Sequence, residues 1–118
     1  MLTPRDMAKL GLLYLNGGAW QGRQIVSPQW VETATRKHVE TGDEADYGYQ
    51  WWVFPSLGAY AAIGLGGQMI FVSPQERLVV VFTADIEGAG LEVPLIEEYV
   101  LPAIRSAEPR KPDERRWL

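Results

Sequence analysis

The sequence contains no cysteine and only one histidine, His38. Without cysteine, disulfides, thiolate metal sites and a cysteine nucleophile are excluded within these residues, although the compartment stays undetermined. His38 stands beside a lysine, with no second metal-type ligand at a suggestive spacing, and a solvated surface histidine is the favoured interpretation. Asp43, Glu44 and Asp46 likewise indicate a solvated acidic loop rather than a calcium site. No metal and no other cofactor is expected.

Long hydrophobic runs and an excess of basic charge are also missing. No apolar stretch is long enough to span a bilayer. The net charge is -4 with acids and bases interspersed, and no basic patch with interleaved aromatic residues indicates a nucleic-acid partner. The first residues lack the pattern of a secretion signal, which is informative only if Met1 is the natural start. The localisation is therefore left open.

The 118 residues are enough for one small domain, and the first third predicts two helices. Thr3 and Ser27 each suit an N-cap position and each precedes a proline, which fits the first turn of a helix. Residues 16–18 predict a left-handed C-cap, and a hairpin is expected to turn at Gln21 and Gly22. Helical spacing places on the inward faces Met7, Leu10, Gly11 and Tyr14 of the first helix, and Trp30, Val31 and Ala34 of the second.

The middle of the chain predicts an antiparallel sheet of about four strands. Aromatic residues 47–54 indicate one strand and residues 59–63 the next. Residues 68–72 and 77–84 indicate a hairpin that is apolar on both faces, a pattern typical of strands covered on both sides. With helices at the N-terminal and C-terminal ends, the expected fold class is α+β.

A last helix is predicted over residues 91–107. Its apolar stripe comprises Val93, Ile96, Val100 and Ile104, and Pro102 is expected to kink the helix or shorten its end. Residues 107–118 are charged and contain proline, so a flexible tail is expected there, with the domain occupying residues 1–106.

Three glycines, Gly64, Gly66 and Gly67, stand directly before a predicted strand. Such a cluster most often marks a tight turn, and it is not a dinucleotide fingerprint because no helix follows. The alternative is the wall of an active site, where backbone without side chains approaches a substrate. The spacing alone leaves both interpretations open.

Residues 2–36, 47–53 and 64–84, in this order, resemble the C-terminal portion of the serine β-lactamase-like, or penicillin-binding-protein-like, family. This family includes class C β-lactamases, D-alanyl-D-alanine carboxypeptidases and esterases. The resemblance runs from about Leu2 to Ile104. It implies a partial β-lactamase/transpeptidase-like fold and hydrolysis of acyl substrates through a serine acyl-enzyme. Family members carry three motifs, which are S-x-x-K, Y-x-N or Y-x-S, and a triad similar to K-T-G.

The motif that bears the nucleophile is absent from these residues, because none of the four serines has a lysine three positions later. Tyr14, Leu15 and Asn16 match Y-x-N, but a helix C-cap explains them better. The chain is therefore expected to be the C-terminal fragment of a serine hydrolase and to be inactive alone. The alternative is a standalone binding or dimerisation module that kept the sheet of this fold and lost its chemistry.

The third motif falls on Gly64, Leu65 and Gly66. The resemblance implies that the backbone N–H of Gly67 belongs to the oxyanion hole and that Gly64, Leu65, Gly66 and Gln68 line the substrate site. Gly64 stands where the stricter pattern has lysine or histidine, a basic group that helps to hold a substrate carboxylate. Recognition of such a carboxylate is therefore in doubt, and an esterase-like relative is favoured.

A protein partner is expected, and there are two alternatives for it. A sheet that is apolar on both faces needs more cover than this short chain offers, so a second copy of the chain or the missing N-terminal segment is predicted to supply it. The resemblance further implies an acyl small molecule as the substrate of the full-length protein.

Overall fold

A computed structural model describes residues 2–64, 66–84 and 90–106. Leu65 and the predicted tail at 107–118 lie outside the described residues. No helix within the described ranges is long and apolar enough to cross a membrane. The helices and strands are α1 (Pro4–Leu15), β1 (Ala19–Trp20), β2 (Arg23–Gln24), α2 (Pro28–Ala34), β3 (Asp46–Tyr47), β4 (Trp52–Phe54), β5 (Ala59–Gly64), β6 (Gln68–Ser73), β7 (Leu78–Phe82), α3 (Glu92–Leu95) and α4 (Leu101–Ser106).

The predicted helix ends are confirmed. The Thr3 hydroxyl accepts a hydrogen bond from the Asp6 N–H at 3.2 Å, and the Ser27 hydroxyl accepts one from the Trp30 N–H at 3.1 Å. Hydrogen bonds from Thr3 and the nearby Lys9 ammonium lower the pKa of Asp6. At the end of α1, Gly17 has a φ of 66°, and the Gly18 N–H donates to the Leu13 carbonyl at 2.8 Å. This 6→1 bond is a Schellman C-cap, which satisfies carbonyls that the helix leaves free.

The main sheet has five antiparallel strands in the order β3-β4-β5-β6-β7, and β1 and β2 form a separate two-stranded ribbon. The α+β class is therefore confirmed, with five strands in place of about four. Positive φ values at Gln21 and Gly22 place the turn of the β1–β2 ribbon where it was predicted. The pairing of Gly64 with Gln68 closes the β5–β6 hairpin next to the glycine cluster.

The additional strand arises because the prediction of one continuous strand over residues 47–54 is wrong. The chain turns between β3 and β4, where the Gly48 N–H donates to the Trp51 carbonyl at 2.8 Å and Gln50 has a φ of 69°. Gly48 packs against the backbone carbonyls of Ala34 and Arg36, so a Cβ atom has no space there. Aromatic content indicated extended backbone, but it did not show where the backbone reverses.

The sheet has a hydrophobic cluster on each face. One cluster contains Phe54, Met69, Phe71, Ile96 and Leu101. The other contains Met7, Trp51, Tyr60, Ile70 and Val72. Both faces of β6 are thus buried, one under the C-terminal helical segment and the other under α1. The expectation that the chain leaves a whole sheet face uncovered is wrong for this strand.

Helix α1 contacts the sheet through a glycine. A Cβ atom built on Gly11 would lie 2.6 Å from Val79 Cγ1 and 2.9 Å from Ile70 Cγ2, so the helix backbone packs closely on the sheet at this inward-facing residue. Two expectations about inward faces are wrong. Leu10 is 38% exposed because Met7 and Gly11 occupy the contact line, and Trp30 is 47% exposed. The Trp30 ring stacks instead on exposed Tyr49, with ring centroids 5.7 Å apart.

The C-terminal helix contains a π-helical turn, Ile96–Val100, between α3 and α4. Pro102 follows this turn and the helix continues to Ser106, so the early end expected at the proline is not seen. The expected kink stays a prediction. Hydrogen bonds in a π turn span five residues where those of an α-helix span four, so a π turn holds more residues than the 3.6 of an α turn. Consequently Ile96 and Leu101, five residues apart, are both buried, whereas the predicted stripe residue Ile104 is 42% exposed.

We predict that Gly11→Ala destabilises the fold by about 1–3 kcal/mol, although alanine is the better helix former, because the added methyl group overlaps Val79 and Ile70. Urea unfolding followed by tryptophan fluorescence measures the change. Val79→Ala removes the closest obstructing methyl group, so Gly11→Ala should cost less in that background. Equal costs in both backgrounds would contradict the close approach.

Candidate functional site

A groove of about 1070 Å³ lies at the end of the sheet where β5 and β6 are joined. Strands β4 and β5, the β5–β6 turn, the 41–45 segment and the first residues of α3 all contribute to its walls. The lining residues are Thr41, Gly42, Asp43, Glu44, Ala45, Trp52, Phe54, Ile63, Gly64, Gly66, Gly67, Glu92 and Val93. The volume lies just above the range of roughly 300–1,000 Å³ that is typical of small-molecule sites.

The glycines of the groove differ in whether the fold requires glycine at their position. Gly66 and Gly67 have φ values of 84° and 89°, a left-handed conformation that favours glycine, so the tight-turn interpretation holds for both. Gly64 has no positive φ, and a Cβ atom there would meet only Gln68 Cβ at 3.5 Å and Oε1 at 3.7 Å. These are ordinary contacts. The fold therefore does not impose the missing side chain at position 64.

The structure brings together three of the five residues predicted for the site. Gly64, Gly66 and Gly67 line the groove. Gln68 is exposed and lies outside the lining, with its side chain beside Gly64. Leu65 is outside the described residues. The role of the Gly67 N–H in an oxyanion hole stays a prediction.

The acidic 41–45 segment is the part of the groove that sequence reasoning missed, because it was interpreted as a solvated loop. An isolated bridge between Val39 and Tyr47 closes this loop at its base. Inside the loop, the Thr41 hydroxyl donates to the Ala45 carbonyl and accepts from the Asp43 N–H at 3.2 Å. The only available sequence signal was a Thr-Gly-Asp turn next to an aromatic strand, and it does not reveal which surface the loop borders.

Aromatic contacts hold the floor of the groove. The Trp52 and Tyr47 rings meet edge to face with centroids 4.8 Å apart, and Phe54 and Phe71 lie 6.4 Å apart. Trp52 is half-buried against the cluster that contains Phe71. It therefore serves as a core residue and borders the groove as well, whereas Trp51 is buried in the opposite cluster.

The charged residues that line the groove are all acidic, namely Asp43, Glu44 and Glu92. The Glu92 carboxylate accepts a hydrogen bond from the Gly90 N–H at 3.3 Å. Near the base of the loop, but outside the lining, Lys37 and Glu40 form an ion pair at 2.6 Å. This pair raises the pKa of Lys37 and lowers that of Glu40.

Other chemistry-bearing residues lie away from the groove. Tyr14 and Asn16 are at the C-terminal end of α1, where Asn16 Oδ1 accepts a hydrogen bond from Arg77, which supports the structural interpretation of the Y-x-N match. Burial raises the pKa of Tyr60 well above its ordinary value, so this phenol is no base at neutral pH. Ser73 is buried at the opposite end of β6, about 17 Å along the strand from Gln68. Among the described residues, no group of three or more His, Cys, Asp or Glu side chains is placed to hold a metal ion.

Comparison with known proteins decides the family. The family model Beta-lactamase matches residues 1–101, which is most of the chain. The chain belongs to this family. The chain is 31% identical over 90 residues to the 6-aminohexanoate-dimer hydrolase of Paenarthrobacter ureafaciens, an alignment that covers 67% of this chain and 23% of the relative.

A solved structure supports the same assignment. A Bacillus anthracis protein, provisionally named a 6-aminohexanoate-dimer hydrolase, superposes with a TM-score of 0.68 at 27% identity. The match covers 87% of this chain and 28% of that protein. The chain thus spans about a quarter of the length of these beta-lactamase-family relatives, and it corresponds to part of a hydrolase fold.

We predict that Gly64→Lys changes the free energy of unfolding by no more than about 0.5 kcal/mol, because position 64 is exposed and a Cβ atom there makes only ordinary contacts with Gln68. Gly67→Ala should cost about 1–2 kcal/mol, because alanine is strained at a φ of 89°. Urea denaturation of the two variants measures both changes in the free energy of unfolding. Equal losses would show that position 64 also requires glycine.

Proposed function

We propose that this chain supplies one wall of the active site of an acyl hydrolase whose serine nucleophile lies outside these 118 residues. The observation that carries the proposal is that Gly64 and Gly66, of the stretch that resembles the third family motif, and Gly67, the residue after it, line one groove of ligand size. Membership of the beta-lactamase family supports it, as does the part of a hydrolase fold that the chain represents.

In the proposed reaction, the serine Oγ adds to the substrate carbonyl carbon and its proton passes to a neighbouring base. The backbone N–H of Gly67 donates to the oxygen on which negative charge develops, which lowers the barrier. The C–N or C–O bond then breaks, and the leaving amine or alcohol takes up a proton. Water subsequently hydrolyses the acyl-serine ester and restores the nucleophile.

Aliphatic amides and esters are the proposed substrates of the whole protein. The relatives are named for a 6-aminohexanoate dimer, which is an aliphatic amide. Trp52, Ile63 and Val93 give the groove apolar walls that suit an alkyl chain. Gly64 lacks the basic side chain that would hold a carboxylate beside the scissile bond.

We expect the purified chain alone to show no hydrolysis of p-nitrophenyl butyrate above the buffer rate, because no S-x-x-K is present to provide an activated serine. Intact-mass spectrometry after incubation with a fluorophosphonate should likewise show no adduct. Stoichiometric acylation of a serine would contradict the inactivity of the chain.

The reading frame that precedes the Met1 codon in the source DNA gives a second test of the same proposal. An open frame that encodes S-x-x-K, followed by Y-x-N or Y-x-S, is expected. A stop codon and a ribosome-binding site directly before Met1 would overturn the proposal of a nucleophile on the same polypeptide.

The second candidate is a binding or dimerisation module, and the edge of the sheet favours it. Strand β7 pairs only with β6 among the described residues, and its Leu78, Val80 and Phe82 contribute to one cluster while Val79 and Val81 contribute to the other. An apolar edge strand is a template for pairing with another chain.

If β7 pairs with its copy, sedimentation velocity should show a shift from monomer to dimer as the concentration of the chain rises from about 10 μM to 1 mM, the span over which weak association is measured. A single monomeric species throughout this range would remove the basis for a dimerisation module. The hydrolase proposal is compatible with either a monomer or a dimer.

A further inference from the structure

We infer that Tyr49 is a positioning residue for the groove, because its ring stacks against the segment that holds the base of the 41–45 wall. Tyr49 does not line the groove, and it acts through His38 and the short bridge between Val39 and Tyr47. The inference rests on the proposed function, since it assigns what keeps one wall of that site in place.

Two pairs of stacked rings share Tyr49 on the surface of the chain. The His38 and Tyr49 rings are nearly parallel, with centroids 4.0 Å apart and an angle of 9° between their planes. The Trp30 ring meets the Tyr49 ring at an angle of 16°. Tyr49 is 46% exposed, so packing in the core does not account for this arrangement. Stacked aromatic pairs stabilise a contact beyond the area that they bury.

The backbone of Tyr49 is fixed independently of the stacked rings. Its N–H donates to the carbonyl of Ala34, the last residue of α2, at 3.0 Å. The preceding residue, Gly48, packs so closely on the carbonyls of Ala34 and Arg36 that a Cβ atom has no space there. The Tyr49 ring is therefore a surface of fixed position against which the His38 ring rests.

His38 connects this fixed surface to the base of the 41–45 wall. The N–H groups of His38 and Val39 both donate to the Tyr47 carbonyl at 2.9 Å, and the Tyr47 N–H donates back to the Val39 carbonyl at 3.0 Å. The His38 ring has a second contact, because its Nε2 donates to the Thr33 carbonyl at 2.7 Å. Loss of the Tyr49 ring would thus remove one of the two contacts that hold the ring of His38.

The 41–45 wall has few other contacts that set its position. The described hydrogen bonds of this segment are internal, apart from one that the Thr41 N–H donates to the Asp46 carboxylate at 3.4 Å. Ala45 packs at the margin of one hydrophobic cluster. The position of this wall relative to the wall at Gly64 therefore depends on the bridge at its base.

The test compares Tyr49→Leu, which removes the ring, with Tyr49→Phe, which keeps it. Hydrogen exchange of the Val39 and Tyr47 amides, followed by NMR, reports opening of the bridge. We expect Tyr49→Leu to speed this exchange roughly two- to tenfold, the effect of losing one aromatic pair, and Tyr49→Phe to leave it unchanged. His38→Leu removes the same pair from the other side and should speed the exchange at least as much. The urea midpoint should change little in the Tyr49 variants, because Tyr49 is exposed.

Ligand binding gives a readout that a merely structural role would not change. The neutral alkyl probe 1-hexanol is titrated into the ¹⁵N-labelled chain, and the amide signals of Gly64, Gly66 and Gly67 are followed. Tyr49→Leu should weaken hexanol binding about twofold or more, as the binding-competent position of the wall loses population, and Tyr49→Phe should bind normally. Tyr99→Leu is the matched control, because Tyr99 is an exposed tyrosine outside the groove lining and outside both stacked pairs.

Each contrary result has a distinct meaning. If Tyr49→Leu speeds exchange at the bridge but binds hexanol as tightly as the unaltered chain, the positioning role is overturned while the groove stands. Unchanged exchange in Tyr49→Leu would overturn it as well, and so would an equal loss of binding in Tyr49→Phe or Tyr99→Leu, because the stacked ring would not be the cause. If the unaltered chain binds no hexanol at the glycine signals, both the inference and the proposed substrate groove fail.

Discussion

The burial of β6 on both faces is the constraint on which the rest of the structure depends. Met69 and Phe71 face the C-terminal helical segment, while Ile70 and Val72 face the side covered by α1. Contact on the α1 side requires Gly11, whose missing side chain lets the helix backbone approach Val79 and Ile70. Because β6 is held in this way, its pairing with β5 fixes the turn at residues 64–68 and thereby the glycine wall of the groove.

Local patterns predicted the elements whose causes are local. Thr3, Ser27 and residues 16–18 mark helix ends through hydrogen bonds that span a few residues, and the structure contains these bonds. The sequence predictions failed where the helical repeat or the direction of the chain changes inside a predicted element. The turn at Gln50 divides a segment whose aromatic content indicates continuous strand, and the π turn shifts the buried positions from Ile104 to Leu101. Composition and α-helical spacing carry no signal for either change.

The candidate site was also predictable only in part from the sequence. The resemblance located Gly64, Gly66 and Gly67, and the structure places them together in one groove. The acidic loop was missed because its position follows from the bridge between Val39 and Tyr47, a contact that depends on where the chain reverses after β3. Glu92 was missed because α3 reaches the groove only through packing of the C-terminal segment on the sheet. Both omissions concern tertiary proximity, which a linear pattern does not encode.

The two hydrophobic clusters lie on opposite faces of the sheet and share no buried side chain. The groove borders only the cluster that contains Phe54 and Phe71, since Trp52, Phe54 and Val93 belong to its lining and to that cluster or its margin. Substitutions beneath α1 therefore alter stability without touching the groove walls. We therefore expect substitutions on the α1 face to be constrained by folding alone, and substitutions on the opposite face to be constrained by folding and by the proposed substrate site. Divergence among relatives of different specificity should therefore concentrate on one side of the sheet.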